Sequence, residues 1–168
     1  VEAVLLDMDG TLVDSDAAVE RAWVRWAAEF DVDAEAVLRV AHGRPALATV
    51  RDVAPWLDNR AARRAADRQV ELQLLDVDGT AALPGALGLL ATIDRLGLPW
   101  AVVTSADVRL ARARWWAVGI VPPVLVALED VRVGKPDPEG YLLAARRLGV
   151  DPTRCVVVED SLPGVEAG

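Results

Sequence analysis

Residues 5–11 read LLDMDGT, and residues 74–80 read LLDVDGT. In the first, Asp7 and Asp9 close a short apolar run, VEAVLLD, that is bounded by a Gly turn, the pattern of a strand buried on both faces. The second follows RRAADRQVELQLL, whose polar residues at helical spacing suggest a solvated helix, and precedes the turn-like ALPGA. Ligand sites in an open parallel sheet lie beyond the carboxyl ends of the strands. Only the first heptapeptide is therefore expected to carry chemistry, and Asp76 and Asp78 read as linker residues.

Beyond the first strand the period changes. Ala18, Ala22, Trp26 and Phe30 fall four apart, which predicts an amphipathic helix over 14–30 with Asp14 or Ser15 as its cap. Three more helices are expected, over 34–41, 45–54 and 59–75, and nothing between residues 14 and 82 resembles a strand. After Pro84-Gly85 strands and helices alternate. A helix over 86–96 precedes PWAVVTS, one over 107–118 precedes PPVLVAL, and one over 138–148 precedes CVVVED. Strands separated by helices of this length imply a parallel sheet with right-handed crossovers. The expected fold is α/β, a Rossmann-like three-layer α/β/α parallel sheet formed by residues 1–13 and 83–168, with residues 14–82 inserted as a helical cap.

The chain has 168 residues, 53% of them hydrophobic, enough apolar material for a sizeable core. Its net charge of -8 disfavours a phosphate backbone as partner, so no nucleic acid is expected, and any small anion needs a dedicated pocket. Cys155 is the single cysteine and cannot form an intrachain disulfide. With no signal-peptide pattern and no apolar run of membrane-spanning length, the expectation is a cytoplasmic protein without membrane contact, monomeric or weakly dimeric. The six tryptophans, mostly at helical spacing, read as core.

Each expected strand ends in chemically capable residues. Asp7 and Asp9 follow the first, Thr104 and Ser105 end VVTS, Lys135 stands in VGKPDP after the third, and Glu159 and Asp160 end VVVED. A parallel sheet brings these ends to one rim. Carboxylates suit a hard cation, while lysine, hydroxyls and backbone N–H groups suit phosphate oxygens, so the combination suggests magnesium-dependent phosphoryl transfer.

With DMDGTLVDS, VVTSA, GKPDP and VVVEDSLPGVEAG in this order, the sequence resembles the haloacid dehalogenase-like hydrolases, in the branch with a helical cap after the first motif. The stretches SDAAVERAWVRWA and HGRPALATV look like those of sugar-phosphate and glycerol-phosphate phosphatases. The resemblance implies that Asp7 is the nucleophile, forming an aspartyl-phosphate, and that Asp9 is the acid and base. It also implies that Lys135 offsets charge, and that Mg²⁺ is held by the Asp7 carboxylate, the Asp9 carbonyl and Asp160, with Glu159 as ligand or support. Gly10, Thr11, Thr104 and Ser105 would hold phosphate oxygens. His42 and Arg44, in the loop AHGRPA, are either a plain helix connector or a cap loop lowered over the site, with Arg44 on the substrate. The expected partner is a small phosphorylated metabolite. The resemblance further implies chain beyond Gly168, completing a helix and adding a strand beside VVVED.

Two alternatives use the same scaffold, a phosphosugar mutase and a non-catalytic phosphometabolite binder. Mutases of this branch carry a histidine where Val19 stands here, and a pure binder has no need of both Asp7 and Asp9.

Overall fold

The computed structural model describes residues 1–168. Its centre is a four-stranded parallel sheet of β1 (Ala3–Leu6), β4 (Trp100–Val103), β5 (Leu125–Val126) and β6 (Cys155–Val158), in the order β5-β4-β1-β6. Leu5 of β1 lies level with Ala101 on one side and Val157 on the other. All four residues of β1 are buried, as expected for a strand covered on both faces.

Side chains of a strand alternate between faces, and the two faces of β1 feed two separate cores. Val4 and Leu6 pack with Leu90 and Ile93 of α5 (Ala86–Arg95) and with Ala111 and Trp115 of α6 (Val108–Val118). Leu5 packs with Tyr141 and Ala144 of α7 (Glu139–Leu148) and Ala167 of α8 (Leu162–Ala167). The result is a helix-sheet-helix sandwich, the three-layer architecture that the strand-helix alternation predicts.

Helices α1 (Asp16–Phe30), α2 (Ala34–Ala41), α3 (Ala46–Val53) and α4 (Asn59–Leu75) enclose a third core of their own around Trp23, Trp26, Val37, Val50 and Leu72. Trp26 stacks on Phe30 at 4.7 Å between ring centroids and donates its indole N–H to the Ala65 carbonyl at 2.8 Å. Burying both the ring and its polar edge in this way keeps the indole satisfied.

Three expectations need correcting. A short antiparallel ribbon, β2 (Val13–Asp14) with β3 (Ala81–Ala82), stands where the helical insertion leaves and rejoins the sheet. Two-residue strands are too short to show alternation in a sequence. The solvated helix expected before residue 76 is half buried. Alanines 62, 65 and 66 let α4 approach closely, and Gln69 and Gln73 lie on the same inward stripe. Finally, Ser15 occupies the N-cap position of α1 but its side chain makes no cap hydrogen bond; its hydroxyl is donated to Asp9 Oδ1 at 2.7 Å. No helix is long and apolar enough to cross a membrane.

Candidate active site

Parallel pairing delivers the chemically capable residues to one rim. Asp7 follows β1 directly, with its N–H donated to the Val158 carbonyl at 3.0 Å. The Met8 carbonyl then accepts from Thr11, Leu12 and Val13, closing a tight loop that sends the chain away from the sheet. Gly10 adopts φ 84° in that loop, and a Cβ there would collide with the Asp160 carboxylate. Only glycine satisfies both conditions.

Lys135 is the hub. Its ammonium donates to Asp7 Oδ1, to Glu159 Oε1 and, at 3.1 Å, to the Val103 carbonyl, with its side chain only 7% exposed. Burial pushes the Asp7 carboxyl up to about 7, against the lowering effect of Lys135, and the Glu159 charge adds to the rise. Glu159 moves the other way. Burial opposes its ionisation, but the Lys135 contact and the Ser161 N–H and hydroxyl hold it below the ordinary carboxylate range.

Glu159 has no acceptor capacity to spare. Besides Lys135, Oε1 accepts from the Tyr141 hydroxyl at 3.1 Å, and Oε2 accepts from the Asp160 N–H, the Ser161 N–H and the Ser161 hydroxyl at 2.9–3.0 Å. Gly164 packs against it so closely that a Cβ would overlap its carboxylate. Glu159 therefore fixes the lysine and the turn after β6, a supporting position rather than that of an open ligand.

Asp7, Glu159 and Asp160 offer carboxylate oxygens within 4.8 Å of one another. Asp7 Oδ2 accepts no hydrogen bond, and Asp160 Oδ1 takes only the Thr11 hydroxyl at 3.2 Å. Three carboxylates face one lysine, leaving a surplus of negative charge that suits a hard dication bound by few protein oxygens. The donor set fits magnesium, with Asp7 and Asp160 as the open carboxylates.

Asp9 sits in a network of its own. Oδ1 accepts the Ser15 hydroxyl at 2.7 Å, and Oδ2 accepts from the Arg114 guanidinium. Burial raises the Asp9 pKa, opposed by Arg114 and Ser15. Arg114 of α6 is itself 5% exposed and also donates to Gln73 Oε1 at 2.5 Å, so it ties the sheet domain's helix to α4. Sequence reasoning missed Arg114. The signal was present, because among three arginines of α6 it alone falls on the buried stripe of Leu110, Ala111 and Trp115, where an arginine needs a partner.

A cavity of about 100 Å³ separates the rim from the helical insertion. Asp7, Asp9, Thr104, Ser105 and Lys135 line it from the sheet side, and Val19, His42, Arg44, Gln69 and Gln73 line it from the insertion. The Thr104 hydroxyl accepts the Ala106 N–H at 3.1 Å, leaving its proton for donation into the cavity. His42 Nε2 stands 3.5 Å from Asp160 Oδ2, and its Nδ1 is 3.8 Å from Asp16. Arg44 is on the wall, but its guanidinium is engaged with Asp52 at 2.8 Å. Gly10 and Thr11 stand beside Asp160, outside the cavity lining.

The second heptapeptide is elsewhere. Asp76 accepts both ends of the Arg21 guanidinium, at 2.8 and 2.9 Å, and the Asp78 carbonyl accepts from it at 2.7 Å. These residues hold the end of α4 to α1. They clasp the two helices and stand outside the cavity lining.

With this geometry in hand, the comparisons with known proteins converge. The family model for "Hydrolase: haloacid dehalogenase-like hydrolase" matches residues 1–168, and the chain belongs to that family. It is similar to hexitol phosphatase A of Escherichia coli (strain K12), at 42% identity over 165 residues, covering 98% of this chain and 76% of that protein. Validoxylamine A 7'-phosphate phosphatase of Streptomyces hygroscopicus subsp. limoneus is 33% identical over 170 residues, covering 99% of this chain and 80% of that protein. Among solved structures, a hydrolase from Pseudomonas syringae superposes with a TM-score of 0.88 at 25% identity, over 99% of this chain and 79% of that one.

Proposed function

We propose that the protein is a magnesium-dependent phosphatase that hydrolyses a small phosphorylated polyol or sugar through an aspartyl-phosphate on Asp7. The observation that carries this reading is the pairing of a buried Asp7, one oxygen engaged by Lys135 and the other open, with Asp9 two residues on in the same cavity. The similarity to the proteins named hexitol phosphatase A and validoxylamine A 7'-phosphate phosphatase supports the substrate class.

In this scheme Asp7 Oδ2 attacks phosphorus in line, the bond to the leaving alcohol breaks, and Asp9 delivers a proton to that oxygen. Asp9 then takes a proton from water as the water oxygen attacks phosphorus, the Asp7–phosphorus bond breaks, and inorganic phosphate leaves. Lys135 offsets the charge of the incoming phosphate, and Thr104 and Ser105 donate to its oxygens. Bound Mg²⁺ on Asp7 and Asp160 would keep the Asp7 carboxyl ionised despite its burial and lower the repulsion between two anions. Glu159 positions Lys135. The Arg114 and Ser15 contacts hold Asp9 at the cavity edge, so the acid must exchange one of them for the leaving oxygen.

Val19 lines the cavity where a mutase of this branch carries histidine, and offers no proton-transfer group, which favours water as the acceptor. The test is hydrolysis of an aryl phosphate with Mg²⁺ and with excess chelator. Turnover that ignores the chelator refutes the metal-dependent scheme, and an Asp7→Asn protein that still forms a phosphoenzyme removes Asp7 from the nucleophile role.

A further inference from the structure

The hydrogen bonds that start at Asp9 run in one direction. Arginine has donors and no acceptor, so Gln73 must present Oε1 to Arg114. The Gln73 amide nitrogen then faces Gln69 and donates to its Oε1 at 2.6 Å. That orientation leaves the Gln69 amide nitrogen as the free end of the chain. It has no hydrogen-bond partner, although Gln69 is completely buried.

An unsatisfied buried amide donor costs about 1–3 kcal/mol. Gln69 stands in the cavity wall on the α4 side, and no acceptor of that wall reaches its amide nitrogen. A partner is needed, and the cavity is where one comes from.

The charge pattern says what kind of partner. The arginines and the lysine that line the cavity each already hold a carboxylate: Lys135 holds Asp7 and Glu159, Arg114 holds Asp9, and Arg44 holds Asp52. A second phosphate would bring two negative charges to a wall whose guanidinium groups are committed. A neutral oxygen asks only for a donor, and an amide N–H supplies it.

We propose that Gln69 donates to a hydroxyl oxygen on the carbon chain of the substrate, so that the cavity selects a monophosphate with an uncharged polyol remainder over a bisphosphate. This assignment rests on the phosphatase reading and adds to it a residue that sets specificity. Gln73 and Arg114 are positioning residues in it, since they fix which way the Gln69 amide points. The nitrogen is sealed in the present arrangement, so its engagement with the substrate oxygen requires a local shift that opens the amide to the cavity.

The experiment compares Gln69→Met with the unmodified protein on three substrates: a linear hexitol monophosphate, the matching hexitol bisphosphate, and an aryl phosphate that has no aliphatic hydroxyl. Losing one neutral hydrogen bond should lower kcat/KM on the hexitol monophosphate about tenfold further than on the aryl phosphate, which reports any disturbance passed through Gln73 and Arg114 to Asp9. The unmodified protein should prefer the monophosphate to the bisphosphate by at least about tenfold. Equal losses on hexitol and aryl substrates overturn the assignment, as that pattern marks a structural role or a trapped water as the partner of Gln69. No loss at all overturns it too, and so does an unmodified enzyme that prefers the bisphosphate.

Replacing a fully buried side chain puts folding at risk, so the unmodified protein supplies an independent arm. In a series of monodeoxy hexitol phosphates one member should be slower by about tenfold, and uniform rates across the series overturn the proposal. Absence of aryl phosphate hydrolysis by the unmodified protein would instead strike the phosphatase reading itself, and the two failures are told apart by that substrate.

Discussion

LLDMDGT and LLDVDGT differ at one position, Met8 against Val77, yet their first aspartates live in opposite electrostatic worlds. Asp7 ends a buried strand and is pushed up to about 7 by loss of water, although Lys135 touches it. Asp76 ends a helix at the surface and is held down to about 2, chiefly by the Arg21 hydrogen bond. Both carboxylates have a cationic partner. The difference is that Lys135 is shared between two buried acids, whereas Arg21 serves one carboxylate with both arms in water. Identical letters thus make a site in one place and a clasp in the other, according to what the preceding residues build.

The contrast can be broken most sharply at the two aspartates. Asp7→Asn should lower kcat on the order of ten-thousandfold, as loss of a nucleophile does, while Asp76→Asn should keep kcat/KM within about threefold of the unmodified protein. Steady-state kinetics on an aryl phosphate decides it, and a comparable loss in both variants would dissolve the distinction.

The two cations come next. Lys135→Met leaves Asp7 and Glu159 buried together without a counter-charge, and removing one partner of a buried pair costs about 3–5 kcal/mol. Urea unfolding in the presence of chelator should show a loss of that size. Arg21→Met removes an exposed pair and should move the midpoint little.

A smaller and more diagnostic effect is the sign of the pH dependence. Below the unfolded value of 3.8 both states hold the Asp7 proton. Between about 4 and 7 the native state keeps a proton that the unfolded chain has released, so the metal-free protein loses stability as pH rises through that window. For Asp76 the unfolded chain takes up the proton first as pH falls. Its contribution is complete above 3.8 and is lost as pH drops through about 2. Urea midpoints across pH should therefore slope in opposite directions in the two windows. Asp7→Asn should reduce only the upper slope, which Asp9 shares, and Asp76→Asn only the lower, which Asp130, Glu139 and Asp151 share, and variants that leave both slopes intact would refute the assignment.

Much of this arrangement was legible in the sequence because it rests on local periodicity. The expected ranges 34–41 and 59–75 coincide with α2 and α4, and the strand ends at Asp7, Thr104 and Asp160 follow from short apolar runs ending in polar residues. Long-range partnerships were not. The ribbon pairs Val13 with Ala82, a contact that no window of sequence contains. Arg114 falls on an apolar stripe that marks its need of a partner, but Gln73 and Gln69 look like ordinary polar positions, and only the packing of α6 against α4 joins the three into a chain of hydrogen bonds. Ser15 stands at the N-cap of α1, the position its residue type favours, yet makes no cap hydrogen bond. Its hydroxyl instead serves Asp9, which the tight turn at Met8 brings within 2.7 Å.

The ribbon of β2 and β3 has a consequence for how such a protein can change. Val13 faces Ala82, and the Leu83 N–H is bonded to the Leu12 carbonyl at 3.0 Å, so the chain departs and returns at one point. A hairpin turn of about two to five residues spans such a gap. The four helices are thus a cassette with both joints side by side, and exchanging it would replace the cavity wall that carries Gln69 while leaving Asp7, Lys135 and Asp160 where the sheet puts them.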